Sequence, residues 1–218
     1  MAERPSSGMG SEDWLARWEN GRTGWHEVDG NAGLQSHWHV DTGSVLVPLC
    51  GKSPDLLWLA RRGHEVVGIE LAEKAIHEFF AEQDLNYFNV QGEAMLTFRA
   101  ESLPLTLVCG DYFQYAGGPF DALYDRGSIV AVDPAIRPDY VRQTKALLKP
   151  HASLLVITLE YDQEVVSGPP FSLLPDELSD YWQALERVEV TDDIDNCPPK
   201  FRAAGLTDIA EVVWRSPG

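Results

Sequence analysis

Four positions in this 218-residue chain set a reactive or ligand-binding side chain at the end of an apolar run. Val45-Leu46-Val47 ends in Pro48-Leu49-Cys50-Gly51-Lys52-Ser53. A glycine there lets backbone pass close to a ligand, and a helix opening behind it presents free N–H groups to an anion. Glu70 closes the next run about 20 residues later, where a carboxylate can accept hydrogen bonds from both hydroxyls of a ribose. After the run at 105–109 stands Gly110-Asp111-Tyr112-Phe113, an acid and aromatics suited to the amine and face of adenine. After the run at 120–124 stands Asp125-Arg126-Gly127-Ser128, where the guanidinium is either the partner of Asp125 or a cation over a reacting centre.

Gly51 and Glu70 on one unit point to an adenosine-type ligand, a geometry that both NAD and S-adenosylmethionine satisfy. The chain lacks the G-x-G-x-x-G that lets backbone approach a pyrophosphate, and it also lacks the G-x-x-x-x-G-K-[ST] phosphate loop. Adenosylmethionine, whose one anionic group is an amino-acid carboxylate, is therefore favoured. A Cys50 nucleophile with His64 or His26 as base has no oxyanion motif behind it. His37-Trp38-His39 offers two imidazoles without a third ligand cluster, so no metal is expected.

These groups must be positioned by an alternation of strands and helices. Leu56, Leu57, Leu59 and Ala60 recur at helical spacing after Ser53-Pro54, 65–70 is β-branched, and Ala75, Ile76, Phe79 and Phe80 line one face of 72–83. That is a βαβα unit with parallel strands and a right-handed crossover. Further strands are expected at 105–109, 120–124, 153–159, 188–190 and 209–214, with helices at 140–148 and 176–184. Ahead of them, Trp14, Leu15 and Trp18 predict a short helix over 12–19 capped by Ser11, and 20–41 has the length and composition of a functional loop or lid. Segment 85–104 shows only a weak alternation at Met95 to Phe98, enough for one strand of a hairpin. The whole, 1–218, reads as one α/β domain with a flexible tail at 1–11.

With 34 acidic against 17 basic residues the net charge is -17, which repels a phosphate backbone and argues against nucleic acid. Three cysteines, Cys50, Cys109 and Cys197, fit neither a disulfide framework nor a zinc pattern. No stretch has the length and apolarity of a membrane span or signal peptide, so a soluble cytoplasmic protein is expected.

Trp14-x-x-x-Trp18, Asn20-Gly21-Arg22-Thr23-Gly24-Trp25-His26, Val47 to Ser53, Gly63-His64-Glu65-Val66-Val67-Gly68-Ile69-Glu70, Asp125-Arg126-Gly127 and Gly168-Pro169-Pro170-Phe171 together resemble the thiopurine S-methyltransferases. The resemblance runs from about Trp14 to Trp214. It implies a class I methyltransferase (Rossmann-like) three-layer sandwich, with a mostly parallel seven-stranded sheet whose last strand is antiparallel. It implies a monomer that S-methylates small aromatic or heterocyclic thiols, with S-adenosyl-L-methionine as donor and S-adenosyl-L-homocysteine as product. Carried over by position, cofactor contacts fall on Trp14, Leu49, Gly51, Glu70, Asp111, Tyr112 and Arg126, and substrate contacts on Trp18, Trp25, Arg126 and Lys200. The resemblance implies Arg126 as the catalytic residue. Trp25 stands where another member carries Phe, and nothing carries over onto 85–104. Selenium or tellurium compounds as acceptors, and a binding module without turnover, are the alternatives.

Overall fold

The computed structural model describes residues 10–24, 26–92 and 95–217. Its strands are β1 (Ser44–Val47), β2 (Glu65–Glu70), β3 (Tyr87–Gln91), β4 (Leu96–Ala100), β5 (Leu105–Cys109), β6 (Phe120–Arg126), β7 (Leu148–Tyr161), β8 (Glu186–Asp192) and β9 (Ile209–Arg215). They form a nine-stranded sheet in the order β3-β4-β5-β2-β1-β6-β7-β9-β8. The helices are α1 (Ser11–Glu19), α2 (Ala32–His37), α3 (Asp55–Arg61), α4 (Glu73–Glu82), α5 (Arg137–Leu147), α6 (Pro175–Tyr181) and α7 (Pro199–Ala203).

Within that sheet, β5-β2-β1-β6-β7 is parallel throughout, and β9 runs antiparallel to both β7 and β8. These seven strands are the expected class I arrangement. The expected total of seven is corrected to nine, because 85–104 supplies two strands. β3 and β4 form an antiparallel hairpin that extends the sheet beyond β5. Phe98 and Ala100 of β4 are buried against the core, whereas β3 is the outer edge with Phe88 and Val90 exposed.

Side-chain alternation along each strand splits the apolar residues into two layers. Val45 and Val47 of β1 and Tyr124 of β6 join a core closed by Leu34 of α2, Leu56 and Leu59 of α3 and Phe79 of α4. Leu46 and Leu123 point the other way, into a core closed by Tyr140, Val141 and Leu147 of α5 and Leu178 of α6. Helices thus cover both faces, as a mostly parallel sheet requires.

Two N-terminal expectations change. Ser11 lies inside α1 rather than capping it, and the Gly10 N–H ahead of the helix donates to the Asp13 carboxylate at 3.0 Å. Leu15 is exposed, so Trp18, packed against Ala72 and Ala75, anchors the helix. Segment 20–41 contains a short helix, α2. Asn31 caps α2 by accepting from the Leu34 N–H at 3.1 Å, Leu34 is fully buried, and Trp38 stands edge-on to His64 and Tyr124.

Arg137, with no exposed surface, ties α5 to the segment after β7. Its guanidinium donates to the Ile129 carbonyl at 3.2 Å, to the Ser172 carbonyl at 3.1 Å and to both Glu177 oxygens at 3.0 Å. Removing it strands two carbonyls and takes the ion-pair partner from Glu177, which keeps the Tyr181 hydroxyl at 3.0 Å. Arg137→Met is expected to lower unfolding free energy by about 3 kcal/mol, with Arg137→Lys in between. Urea midpoints check this, and an unchanged midpoint in the Met variant would show that these contacts carry no net stability.

Candidate active site

The carboxyl ends of β1, β2, β5 and β6 are laced into one rim. The Cys50 N–H donates to the Ile69 carbonyl at 3.0 Å, and the Gly110 N–H to the Glu70 carbonyl at 2.9 Å. Ser128 Oγ donates to the Pro48 carbonyl at 2.6 Å. Leu49 and Gly51 turn the chain there with φ of 42° and 55°. The backbone conformation favours glycine at Gly51, where a Cβ would stand 3.3 Å from the Trp18 ring and crowd the tryptophan packed over it.

Glu70 is buried at this rim. Its Oε2 accepts from the Gly51 N–H and its Oε1 from the Ala72 N–H, each at 2.8 Å. One carboxylate thus holds the turn after β1 and the start of α4 together. Burial pushes its carboxyl above the usual range, while the backbone N–H groups of Ala72 and Gly51 pull it down. Each carboxylate oxygen has a second acceptor direction, which is what a pair of ribose hydroxyls needs.

Asp111 is likewise engaged at both oxygens, here as a cap. Its Oδ1 accepts from the Phe113 N–H at 3.0 Å and its Oδ2 from Gln114 Nε2 at 3.1 Å, capping the 3-10 turn Tyr112–Gln114. The Tyr112 ring lies in the core beside Tyr140, and its hydroxyl hydrogen-bonds Thr144 Oγ1 at 2.8 Å. What Tyr112 offers at the rim is backbone.

Asp125 and Arg126 are not partners. Asp125 accepts from Tyr140 Oη at 2.7 Å and from the Ile129 N–H at 3.1 Å, on the α5 side of the sheet. Arg126 leaves on the other face and pairs with Glu27, from the loop before α2. Asn31 Nδ2 donates to Glu27 at 3.3 Å and to Glu211 of β9 at 3.1 and 3.3 Å. The Asn31 N–H donates to Asp55 Oδ1 at 2.8 Å, and Tyr124 Oη donates to Asp55 Oδ2 at 2.7 Å. Burial raises the carboxyls of both Glu27 and Glu211. Sequence reasoning missed Glu27, Asn31, Asp55 and Glu211. Only Glu211, an acid inside the apolar strand Ile-Ala-Glu-Val-Val-Trp, carried a signal.

The remaining expected residues divide. Trp14 is half-buried on α1 with the Arg17 guanidinium 5.4 Å above its ring. Trp18 is buried on Gly51, Ala72 and Ala75, so its ring serves packing of the rim. Lys200 is exposed on α7 and donates to the Pro169 carbonyl at 2.8 Å, and burial followed by repulsion from Arg17 lowers its pKa. Trp25 lies outside the described residues. Cys50 is buried, and burial and then Glu70 push its thiol well up, which opposes a nucleophilic role. His64 Nε2 instead receives Trp38 Nε1–H at 3.0 Å. His37 pairs with Glu189 at 2.7 Å, and the described residues hold no cluster of three or more metal-ligating groups.

Burial pushes the Asp125 carboxyl up to about 6, against hydrogen bonds from Tyr140, Ile129 and Ser128. The folded chain therefore binds a proton there more tightly than the unfolded one. Stability from this group is complete below about pH 4 and is lost as pH rises through about 6. Asp125→Asn, which does not titrate, should gain on the wild type by about 2 kcal/mol between pH 4 and pH 7. Urea titrations at both pH values check this, and a pH-independent difference would refute it.

The thiopurine S-methyltransferase family model matches residues 9–217. A thiopurine S-methyltransferase of Pseudomonas fluorescens (strain Pf0-1) is 40% identical over 220 residues, covering 96% of this chain and all of that protein. One from Photobacterium profundum is 36% identical, covering 94% of this chain and 98% of that protein. Among solved structures, a Burkholderia thailandensis 1,6-didemethyltoxoflavin-N1-methyltransferase with bound S-adenosylhomocysteine superposes with a TM-score of 0.63 at 17% identity, covering all of this chain and 94% of that one. A Methanosarcina mazei SAM-dependent methyltransferase gives 0.58 at 14%, covering 86% and 98%. At these identities the structural likeness is one of fold. The sequence matches, continuous from the N-terminal Trp segment to β9, go further: the chain belongs to the thiopurine S-methyltransferase family.

Proposed function

We propose that this protein transfers the methyl group of S-adenosyl-L-methionine to the sulfur of small aromatic or heterocyclic thiols, thiopurines among them, as a single-domain monomer. Family membership supports the reaction class. The observation in the fold that carries the cofactor is Glu70, fixed at the end of β2 by two backbone N–H groups at 2.8 Å each. The donor set at the rim fits an adenosine bearing an amino acid. Glu70 takes the ribose hydroxyls, the turn Leu49 to Gly51 approaches the amino-acid portion with bare backbone, and Gly110 to Tyr112 lines the adenine. Bound there, the cofactor supplies an electrophilic methyl on a sulfonium.

The protein's part is positioning and exclusion of water, because an in-line displacement at carbon needs aligned partners and no metal. Arg126, at the end of the central strand β6, orients the acceptor. Trp14 offers an aromatic face that attracts the sulfonium's charge, and Lys200 adds a cation on the acceptor side.

Glu70→Gln keeps the shape but gives up one acceptor oxygen. It is expected to weaken adenosylmethionine and adenosylhomocysteine equally, by about 1 to 3 kcal/mol. Calorimetry decides this, and unchanged affinity removes Glu70 from the site. Arg126→Ala is expected to lower turnover of a thiopurine by roughly 10², with Arg126→Lys recovering part of it. Turnover per folded molecule, measured with radiolabelled donor beside a melting curve, tests this. A folded Ala variant with near-normal turnover would refute the assignment.

A further inference from the structure

The charges around Arg126 do not balance. One guanidinium faces Glu27 from its own pairing loop, Asp55 from α3 and Glu211 from β9, with Asp193 beyond β8 adding to the same side. Tyr124 of β6 keeps its proton and donates it to Asp55. His26, next to Glu27, contributes little positive charge, since burial and then Lys52 lower its pKa. Asn31 donates from a single amide nitrogen to the carboxylates of both Glu27 and Glu211. The groups that face Arg126 are therefore anionic on balance although the best-placed side chain is a cation, for Lys52 is paired with Glu78 and Glu82 and Lys200 is turned to the Ser167 and Pro169 carbonyls. An incoming thiolate would meet an arginine already neutralised and at least two further carboxylates, at a separation where unit charges in a partly buried site interact by more than thermal energy.

Resting on the methyltransferase reading above, we infer that this chain selects acceptors that arrive with their sulfur protonated and uncharged, and that Glu27 takes the thiol proton during transfer. As the acceptor's sulfur forms its bond to the methyl carbon, the S–H bond breaks and the proton passes to a Glu27 oxygen. The carbon's bond to the departing sulfur breaks with its electron pair remaining there, leaving a neutral thioether on each side and one proton on Glu27. Arg126 holds Glu27 in place and steadies the sulfur as it loses the proton. Burial, which raises the Glu27 carboxyl, makes it a better base than an exposed glutamate.

The test uses Glu27→Gln, which keeps size and the contact with Asn31 while removing the charge and the base. Two acceptors separate the effects: an arylmethanethiol, protonated on sulfur at pH 7, and a nitrothiophenol, already a thiolate. The variant is expected to lose about 10²-fold in kcat/KM with the arylmethanethiol. It is also expected to bind the nitrothiophenolate about tenfold more tightly, read from the thiolate's absorbance with adenosylhomocysteine present. An unchanged arylmethanethiol rate, or thiolate affinity that is unchanged or weaker, overturns the inference. If the wild type methylates neither thiol, the methyltransferase reading itself fails, and the thiolate titration still decides the charge argument.

Discussion

Neighbouring side chains on a strand must leave on opposite faces, and at the end of β6 that constraint separates two charges adjacent in sequence. Asp125 is sent toward α5, where the Tyr140 hydroxyl and the Ile129 N–H satisfy it and fix the backbone just past the strand. Arg126 is sent toward α3 and the N-terminal loop, where Glu27 meets it. The same parity puts Tyr124 with Arg126, and through Asp55 and Asn31 it ties the strand to α3 and α2. Were the two residues paired with each other, the loop before α2 would lose its ionic anchor and the site its cation.

The sheet-forming unit was legible because its periods are clean. Three apolar residues in a row, a glycine turn, leucines at helical spacing and a β-branched run specify β1, α3 and β2 almost residue by residue. Glu70 and Gly51 were legible as a pair, since the spacing that serves a ligand also serves their mutual hydrogen bond. Of the hairpin, β4 was legible in the alternation at Met95 to Phe98, but β3 was not, because it buries almost nothing and shows no alternation to read. Nor was α2, whose six residues are too short to display a helical period. Glu27 and Glu211 escaped for a different reason. Their connection runs through Asn31, 180 residues from Glu211, and no local pattern encodes it.

Burial limits what a polar side chain can do. A thiol or phenol in the core holds its proton more firmly, as the Cys50 thiol and the Tyr112 hydroxyl do. Glu70 escapes that fate because two N–H groups offset part of the desolvation of its charge. Trp18 takes its place in the same assembly by covering the turn that Glu70 holds.

The strand that extends the sheet also exposes it. β3 carries Tyr87-Phe88-Asn89-Val90-Gln91, with neither a charge nor a proline, along an outer edge whose backbone N–H and carbonyl groups have no strand beyond them among the described residues. Such an edge is a template for pairing with another copy, a hazard usually blunted by lysine, proline or a bulge. A net charge of -17 opposes such pairing through long-range repulsion between molecules. Because that repulsion fades within about 8 Å at physiological ionic strength, colloidal stability in this protein is coupled to salt through an element far from its chemistry.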